Sequence, residues 1–319
     1  MRAIEKLRDK PLEELLRTAW ELRRKNFEDV LYVSAPSAKR YEVANFRNSP
    51  GSFVNVSVTG KACELRCEHC RGRLLESMHH VASGEELVAL GRRLVERGAG
   101  GVLISGGATR DGRVPLRGFL PAMRKLREMG LRVIVHSGLV SGEDALALRR
   151  AGVEQVLLDV IGDEATIREV YHLDRTPADY ARALENLKRA GLSIAPHIVA
   201  GLYRGEFRGE YEALRIITRA EPEVIVVVVL SPLYGTPFEG VEPPPAEEVA
   251  RLVAVARILN PRARLNLGCA KPAGSKAEIE VLAIDAGVNT IAYPSEEALE
   301  YAEKRGLELR FSELCCTLV

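Results

Sequence analysis

No stretch of this chain is apolar for long enough to cross a bilayer. Its longest run, VIVVVVL from Val224, is about a third of the roughly 20 residues that a spanning helix needs. An excess of charge is missing too. A formal net charge of +1 offers no basic stripe to nucleic acid or to an anionic membrane, and neither is expected as a partner. The opening residues, MRAIEKLRDKPLEELL, lack the apolar core of a secretory leader, so a cytoplasmic protein is expected. Six cysteines in 319 residues of an unexported chain read as metal ligands or reactive thiols, not as a disulfide framework. The final CTLV has the outline of a prenylation box, but no polybasic segment precedes it.

What is present is a globular composition, 46% hydrophobic and 28% charged, able to bury a sizeable core. Two helical patterns broken by Pro11 come first, the second with Leu12, Leu15, Leu16, Ala19 and Trp20 on one face. From Ser52 onward, short β-branched runs alternate with amphipathic segments. The strands are FVNVSVT, GVLISGG, LRVIVHSG, VEQVLLDV, LSIAPHIVAG, EVIVVVVLSP, ARLNLGC and VNTIAYP, and most of the helical segments between them end on glycine. Such alternation with nearly continuous apolar strands means a parallel sheet covered by helices. The expected fold is α/β, a (β/α)8 TIM-type barrel, in preference to an open doubly wound sheet or a six-unit partial barrel with a separate C-terminal piece. The expected division is a helical extension over 1–50, the barrel over 51–300, and a tail over 301–319 that carries a cysteine pair toward the barrel mouth. Functional residues belong at the C-terminal ends of the strands.

Cys63, Cys67 and Cys70, spaced C-x3-C-x2-C, follow directly after the first of these strands. Thiolates are soft ligands for zinc, copper or iron–sulfur clusters. Zinc would take His69 as its fourth ligand, but His69 adjoins Cys70 and the two reach one tetrahedral ion with difficulty. A cubane cluster on three cysteines instead leaves one iron open to a non-protein ligand.

The spacing, the place after the first strand and the ring-bearing residue before the last cysteine resemble the radical S-adenosylmethionine superfamily. The resemblance implies a [4Fe-4S] cluster on Cys63, Cys67 and Cys70, and S-adenosylmethionine bound at its open iron. It also implies a 5′-deoxyadenosyl radical that takes hydrogen from substrate, and a low-potential electron donor such as ferredoxin. SGGATRDG is similar to the family's Gly-Gly-Glu segment, so Ser105, Gly106 and Gly107 are implied in cofactor binding, although Ala108 stands in place of the acidic residue. Asp159, in LLDVIGD, is placed to accept hydrogen bonds from a ribose or an amine. Gly201, Gly205 and Glu210 mark a segment similar to the family's glycine-rich fifth strand, while His69, His136 and His197 are further candidates near the cofactor.

Cys269 ends the seventh predicted strand, and Cys315 and Cys316 lie close to the C-terminus; the three could hold an auxiliary cluster if the tail reaches Cys269. Over nearly the whole chain the motifs are most similar to archaeal biotin synthase homologues, a group that includes the two subunits of the archaeal lipoyl synthase. That likeness implies sulfur insertion into a protein-bound octanoyl group, a sulfurtransferase of lipoate biosynthesis, with a second radical subunit and a lipoyl carrier protein as partners. Two alternatives stand beside it. One is a radical enzyme without sulfur insertion, of the methylornithine synthase or hydrogenase maturase kind; the other is a non-catalytic zinc or iron–sulfur binding protein.

Overall fold

The structure, a computed structural model, describes residues 2–319. Its strands are β1 (Val30–Ser34), β2 (Glu42–Val43), β3 (Phe46–Arg47), β4 (Phe53–Ser57), β5 (His79–His80), β6 (Gly101–Ser105), β7 (Arg132–His136), β8 (Gln155–Asp159), β9 (Ser193–Ala200), β10 (Val224–Val229), β11 (Arg264–Leu267), β12 (Thr290–Ala292) and β13 (Glu308–Ser312). The helices are α1 (Arg2–Arg8), α2 (Leu12–Asn26), α3 (Gly84–Glu96), α4 (Leu120–Glu128), α5 (Gly142–Arg150), α6 (Glu164–Glu169), α7 (Pro177–Arg189), α8 (Glu210–Arg219), α9 (Ala246–Leu259), α10 (Lys276–Asp285) and α11 (Glu296–Lys304). The eight strands read from the sequence are β4 and β6 to β12.

Side-chain caps fix where several helices begin. Ser83, Ser141 and Ser295 accept from backbone N–H groups in the first turns of α3, α5 and α11, and Asp163 does so for α6. α2 buries Leu15, Ala19 and Arg23, four residues apart and so on one face, against α9. Full burial of a side chain such as Leu15 stabilises the fold by about 1.5–3 kcal/mol.

The barrel is not closed by a continuous ladder, which corrects the expected eight-stranded TIM-type closure. One curled, open, all-parallel sheet of 11 strands runs β13-β1-β12-β11-β10-β9-β8-β7-β6-β4-β5. The reason lies at its ends. β1 and β13 extend the sheet beyond β12, and β5 extends it beyond β4, and among the described residues no backbone ladder joins β1 or β13 to β4 or β5. A side chain spans the gap instead: Ser37 donates to the Phe53 carbonyl at 2.8 Å and accepts from the Phe53 N–H at 3.2 Å.

The C-terminal segment also departs from expectation. After β13 the chain turns into the concave interior, where Cys315 comes near His136 and Tyr293, and its last residues run on to the N-terminal ends of the strands. Arg132, which begins β7, donates to the Leu318 carbonyl at 3.3 Å, and Arg264, which begins β11, donates to Val319. On the way, Cys316 packs among Val33, Phe53, Ile134, Leu157, Ala195 and Val226, and its carbonyl accepts from Asn266 at 2.6 Å. The strands' N-terminal ends are already crowded with charge, so the apolar filler of this floor comes from the tail.

Candidate functional site

The loop that follows β4 carries Cys63, Cys67 and Cys70, all as free thiols, the last two buried. It is clamped from two sides. Toward β6, Thr59 accepts from the Gly107 N–H at 2.7 Å and donates to the Ala62 carbonyl at 2.9 Å, while the Glu64 N–H donates to Ala108 at 2.9 Å. Toward α6, the Glu68 N–H donates to Val170 at 2.8 Å, and His172 bridges the Leu65 carbonyl at 2.7 Å and the Glu68 carboxylate at 2.9 Å. The loop bends where Arg66 and Arg71 take positive φ, at 47° and 48°.

Gly107 is the tightest point of this assembly. A Cβ there would lie 1.9 Å from the Ala62 carbonyl oxygen and 2.6 Å from Cys63 Cα and Cβ. Only glycine lets the two backbones approach so closely.

The Cys67 thiol donates to the Tyr171 carbonyl at 3.9 Å, and Cys67 and Cys70 are close enough for each to govern the other's ionisation through thiol–thiolate bonding. That bonding stabilises the Cys70 thiolate and draws its pKa well below the thiol range, while the same bonding, with burial, pushes Cys67 far above it. The three sulfurs do not all fall within 4.8 Å of one another. A single zinc ion 2.3 Å from each sulfur would hold them about 3.8 Å apart. The all-thiol donor set of three suits an iron–sulfur unit that leaves one metal position free of protein ligands. His69 lies with its ring 5.3 Å from that of Tyr171, and its Nδ1 is buried without a partner.

The other candidates fall into three groups. At the β6 end, the Ser105 hydroxyl donates to the His136 carbonyl at 3.0 Å, which leaves Gly106 and Gly107 as the bare backbone beside the cysteines. At the β9 end, Gly201 has φ +73° and its N–H donates to Glu210 at 2.8 Å. Burial pushes the Glu210 carboxyl up to about 7 despite several backbone donors, and its Oε2 has no partner. Glu210 thus supports the turn from behind.

The third group is a trio of side chains brought together from separate strands: His136 from β7, Asp159 from β8 and His197 from β9. His136 Nε2 lies 3.5 Å from Asp159 Oδ1, and the two imidazole rings are 5.7 Å apart. Burial pulls the His136 pKa down, but the charge of Asp159 outweighs it and leaves that pKa raised; at His197 burial, joined by the charge of His136, outweighs the pull of Asp159 and takes it down to about 4. The Asp159 carboxyl resists the cost of burial through His136 and is held at about 2.

Cys269 is exposed just past β11, and Cys315 and Cys316 approach from inside the sheet. All three thiols act on one phenol, Tyr293, whose pKa burial raises first and their negative charge raises further. Next to Cys269, Lys271 is buried and pairs with the buried Glu280 at 3.4 Å. Among the described residues, neither thiol set forms a compact three-donor group for a single ion.

The sequence reading missed Thr59, Glu68, Tyr171 and His172. No periodicity or spacing marks them, because they meet the cysteine loop only through tertiary contacts. The one local hint is Thr59 in the TGKAC turn, four residues before Cys63.

The family model for the "Radical SAM superfamily" matches residues 57–217, and that for the "Biotin and Thiamin Synthesis associated domain" matches residues 227–314. A biotin synthase of Prochlorococcus marinus is 26% identical over 299 residues, spanning 91% of this chain and 83% of its own length. Among solved structures, methylornithine synthase superposes with a TM-score of 0.66 at 16% identity over 96% of this chain and 93% of that one. The FeFe-hydrogenase maturase HydG from Carboxydothermus hydrogenoformans gives 0.65 at 16% identity over 97% and 74%. At such identities the two structures share a fold with this chain. Among the described residues, no helix is long and apolar enough to cross a membrane.

Proposed function

The chain belongs to the radical S-adenosylmethionine superfamily, and from that premise we propose that Cys63, Cys67 and Cys70 hold a [4Fe-4S] cluster whose remaining iron is reserved for S-adenosylmethionine. When bound, the pair supplies reductive cleavage of the sulfonium and a 5′-deoxyadenosyl radical able to take hydrogen from an unactivated carbon. The residues of the chain bind and shield. Gly106 and Gly107 offer backbone without side chains beside the cysteines, Glu210 holds the Gly201 turn, and the apolar concave face keeps water from the substrate carbon. His69 and Ser105 complete the cofactor's surroundings, and the electron comes from a low-potential donor such as a ferredoxin.

The observation that carries this reading is the seating of the three-thiol loop on Gly107. The test is anaerobic reconstitution with iron and sulfide, reduction, and assay for 5′-deoxyadenosine from S-adenosylmethionine. Wild type is expected to form the product and Cys67→Ala to form none. A wild-type protein that holds zinc and yields no 5′-deoxyadenosine would leave the non-catalytic reading in its place.

In its plain form the reaction ends with hydrogen abstraction and rearrangement or cleavage, as in a methylornithine synthase-like or hydrogenase maturase-like enzyme. The superpositions above agree with that form in fold. A second form, sulfur insertion of the lipoyl synthase kind, draws on the buried Cys316 and the part-buried Cys315, which with Cys269 all act on Tyr293. It requires an auxiliary cluster on those three thiols, a protein-bound octanoyl substrate on a lipoyl carrier and a second radical subunit. Iron counting separates the forms: Cys269→Ala and Cys316→Ala each lose about four irons per chain if the auxiliary cluster exists, and lose none under the plain form.

A further inference from the structure

The side chains of His136, Asp159 and His197 make no hydrogen bond to the cysteine loop, and their geometry is specific. The parallel register sets Asp159 beside His197 and His136 beside Leu157, which is two residues before Asp159. Residues paired across parallel strands share a face, as do residues two apart in one strand, so all three side chains stand on one side of the sheet. That side is the concave one, because Leu157 packs with the interior cluster. One nitrogen or oxygen from each of the three lies within 4.8 Å of the others, and among the described residues no other three histidine, cysteine or carboxylate groups converge so closely.

Two independent features mark the trio as more than a polar patch. First, His197 Nδ1 lies 2.9 Å from the carbonyl of Ala195. A carbonyl only accepts, so Nδ1 carries the proton, and Nε2 is left with a free lone pair. A ring anchored through one nitrogen to a backbone carbonyl, with the other nitrogen bare, is the arrangement that orients a metal-binding histidine. Secondly, no lysine or arginine among the described residues pairs with Asp159; its one ion-pair partner is His136. A carboxylate on a concave face, flanked by two imidazoles and no permanent cation, lacks a fixed positive charge.

We propose that His136, Asp159 and His197 form a binding site for a divalent first-row metal ion. Two imidazoles and one carboxylate make a donor set for Mn(II), Fe(II), Co(II) or Zn(II), and three protein ligands leave positions open toward the interior. There a substrate carboxylate, hydroxyl or amine would complete the coordination. Ligand bonds of about 2.0–2.2 Å require the three donors to close by only a small side-chain rotation from their present spacing. Its three donors come from β7, β8 and β9, and none from the cysteine loop.

Mn(II) is the most useful probe, since it favours oxygen and nitrogen donors over the six thiols of the chain. Apo-protein is titrated anaerobically with Mn(II), and free ion is followed by its electron paramagnetic resonance signal. One ion per chain is expected in wild type, and also in a Cys63→Ala/Cys67→Ala/Cys70→Ala variant that can hold no cluster. Binding should weaken at least about tenfold in His197→Ala and in the near-isosteric Asp159→Asn, with circular dichroism confirming that both are folded. Absence of bound Mn(II) in wild type, or binding that survives both substitutions, overturns the proposal. Loss of binding in the triple-cysteine variant overturns it too, because the ion would then belong to the thiols. None of these readouts involves S-adenosylmethionine, so failure here is distinguishable from failure of the radical chemistry.

Discussion

Replacing Gly107 by alanine adds a single methyl group at the most crowded backbone contact of the cysteine loop. The new carbon would lie 1.9 Å from the Ala62 oxygen, where ordinary contact begins at 3.4 Å, so something must retreat by about 1.5 Å. Neither neighbour is a flexible side chain: one is the Ala62 carbonyl and the other is the Cα of Cys63 itself. The retreat therefore moves Cys63 relative to Cys67 and Cys70, or swings Gly107 away from the cofactor. Functional constellations tolerate about 0.5 Å, and a misplacement of about 1 Å costs about 100-fold in rate. Gly107→Ala should reduce 5′-deoxyadenosine formation by about 100-fold or more and lower the iron retained after reconstitution. The overpacking itself costs about 1–3 kcal/mol, so the protein should remain folded in a thermal melt. Gly118→Ala is the matched control, because nothing lies within 4 Å of its added carbon. A Gly107→Ala protein with wild-type iron content and wild-type rate would refute the argument that this contact sets the position of the thiols.

Thr59→Val removes the hydroxyl that joins Gly107 to Ala62, and should cost about 1–2 kcal/mol in urea unfolding and reduce iron retention; unchanged values in both would remove Thr59 from the clamp. Lys271→Met strands the Glu280 carboxylate in a site where the two side chains are 2% and 0% exposed. Its loss of about 3–5 kcal/mol should be largely recovered in Lys271→Met/Glu280→Gln, and equal losses in single and double variants would count against a desolvated pair. Glu210 predicts a pH dependence. Its folded pKa of about 7 lies above the ordinary 4.5, so the folded state binds the extra proton and stability is greatest below pH 4.5. As pH rises from 4.5 to 7 the protein should lose up to about 3 kcal/mol, and Glu210→Gln should flatten that slope in urea titrations across the range; an unaltered slope would assign it to other groups.

The strands most legible in the sequence were those with a full apolar run, such as Val224–Val229, which needs no partner to announce itself. β1 has the same character in VLYVS, but it stands next to the long amphipathic α2 and was absorbed into a helical extension. β13, ELRFS, alternates with charge and gains its identity only by lying beside β1. With both strands unrecognised, an eight-unit barrel was the natural count, and the tail had nowhere to go but the mouth. The cysteine spacing was legible because three thiols within eight residues form a pattern that needs no tertiary contact to be seen. The trio of His136, Asp159 and His197 was legible only as separate candidates, since register between three strands brings them together and no local pattern encodes it.

The Ser37 bridge from the end of β1 to the start of β4 has a mechanical consequence. A fully laddered barrel has its girth fixed by strand number and stagger, and it changes radius only by breaking rows of backbone bonds. Here the seam is crossed by side-chain bonds, those of Ser37 to Phe53, of Asn48 to the Ala35 and Pro36 carbonyls and of Glu313 to the Ser49 N–H. The wall therefore has one seam that can part or close at the cost of a few side-chain bonds, while every ladder from β4 to β12 stays intact.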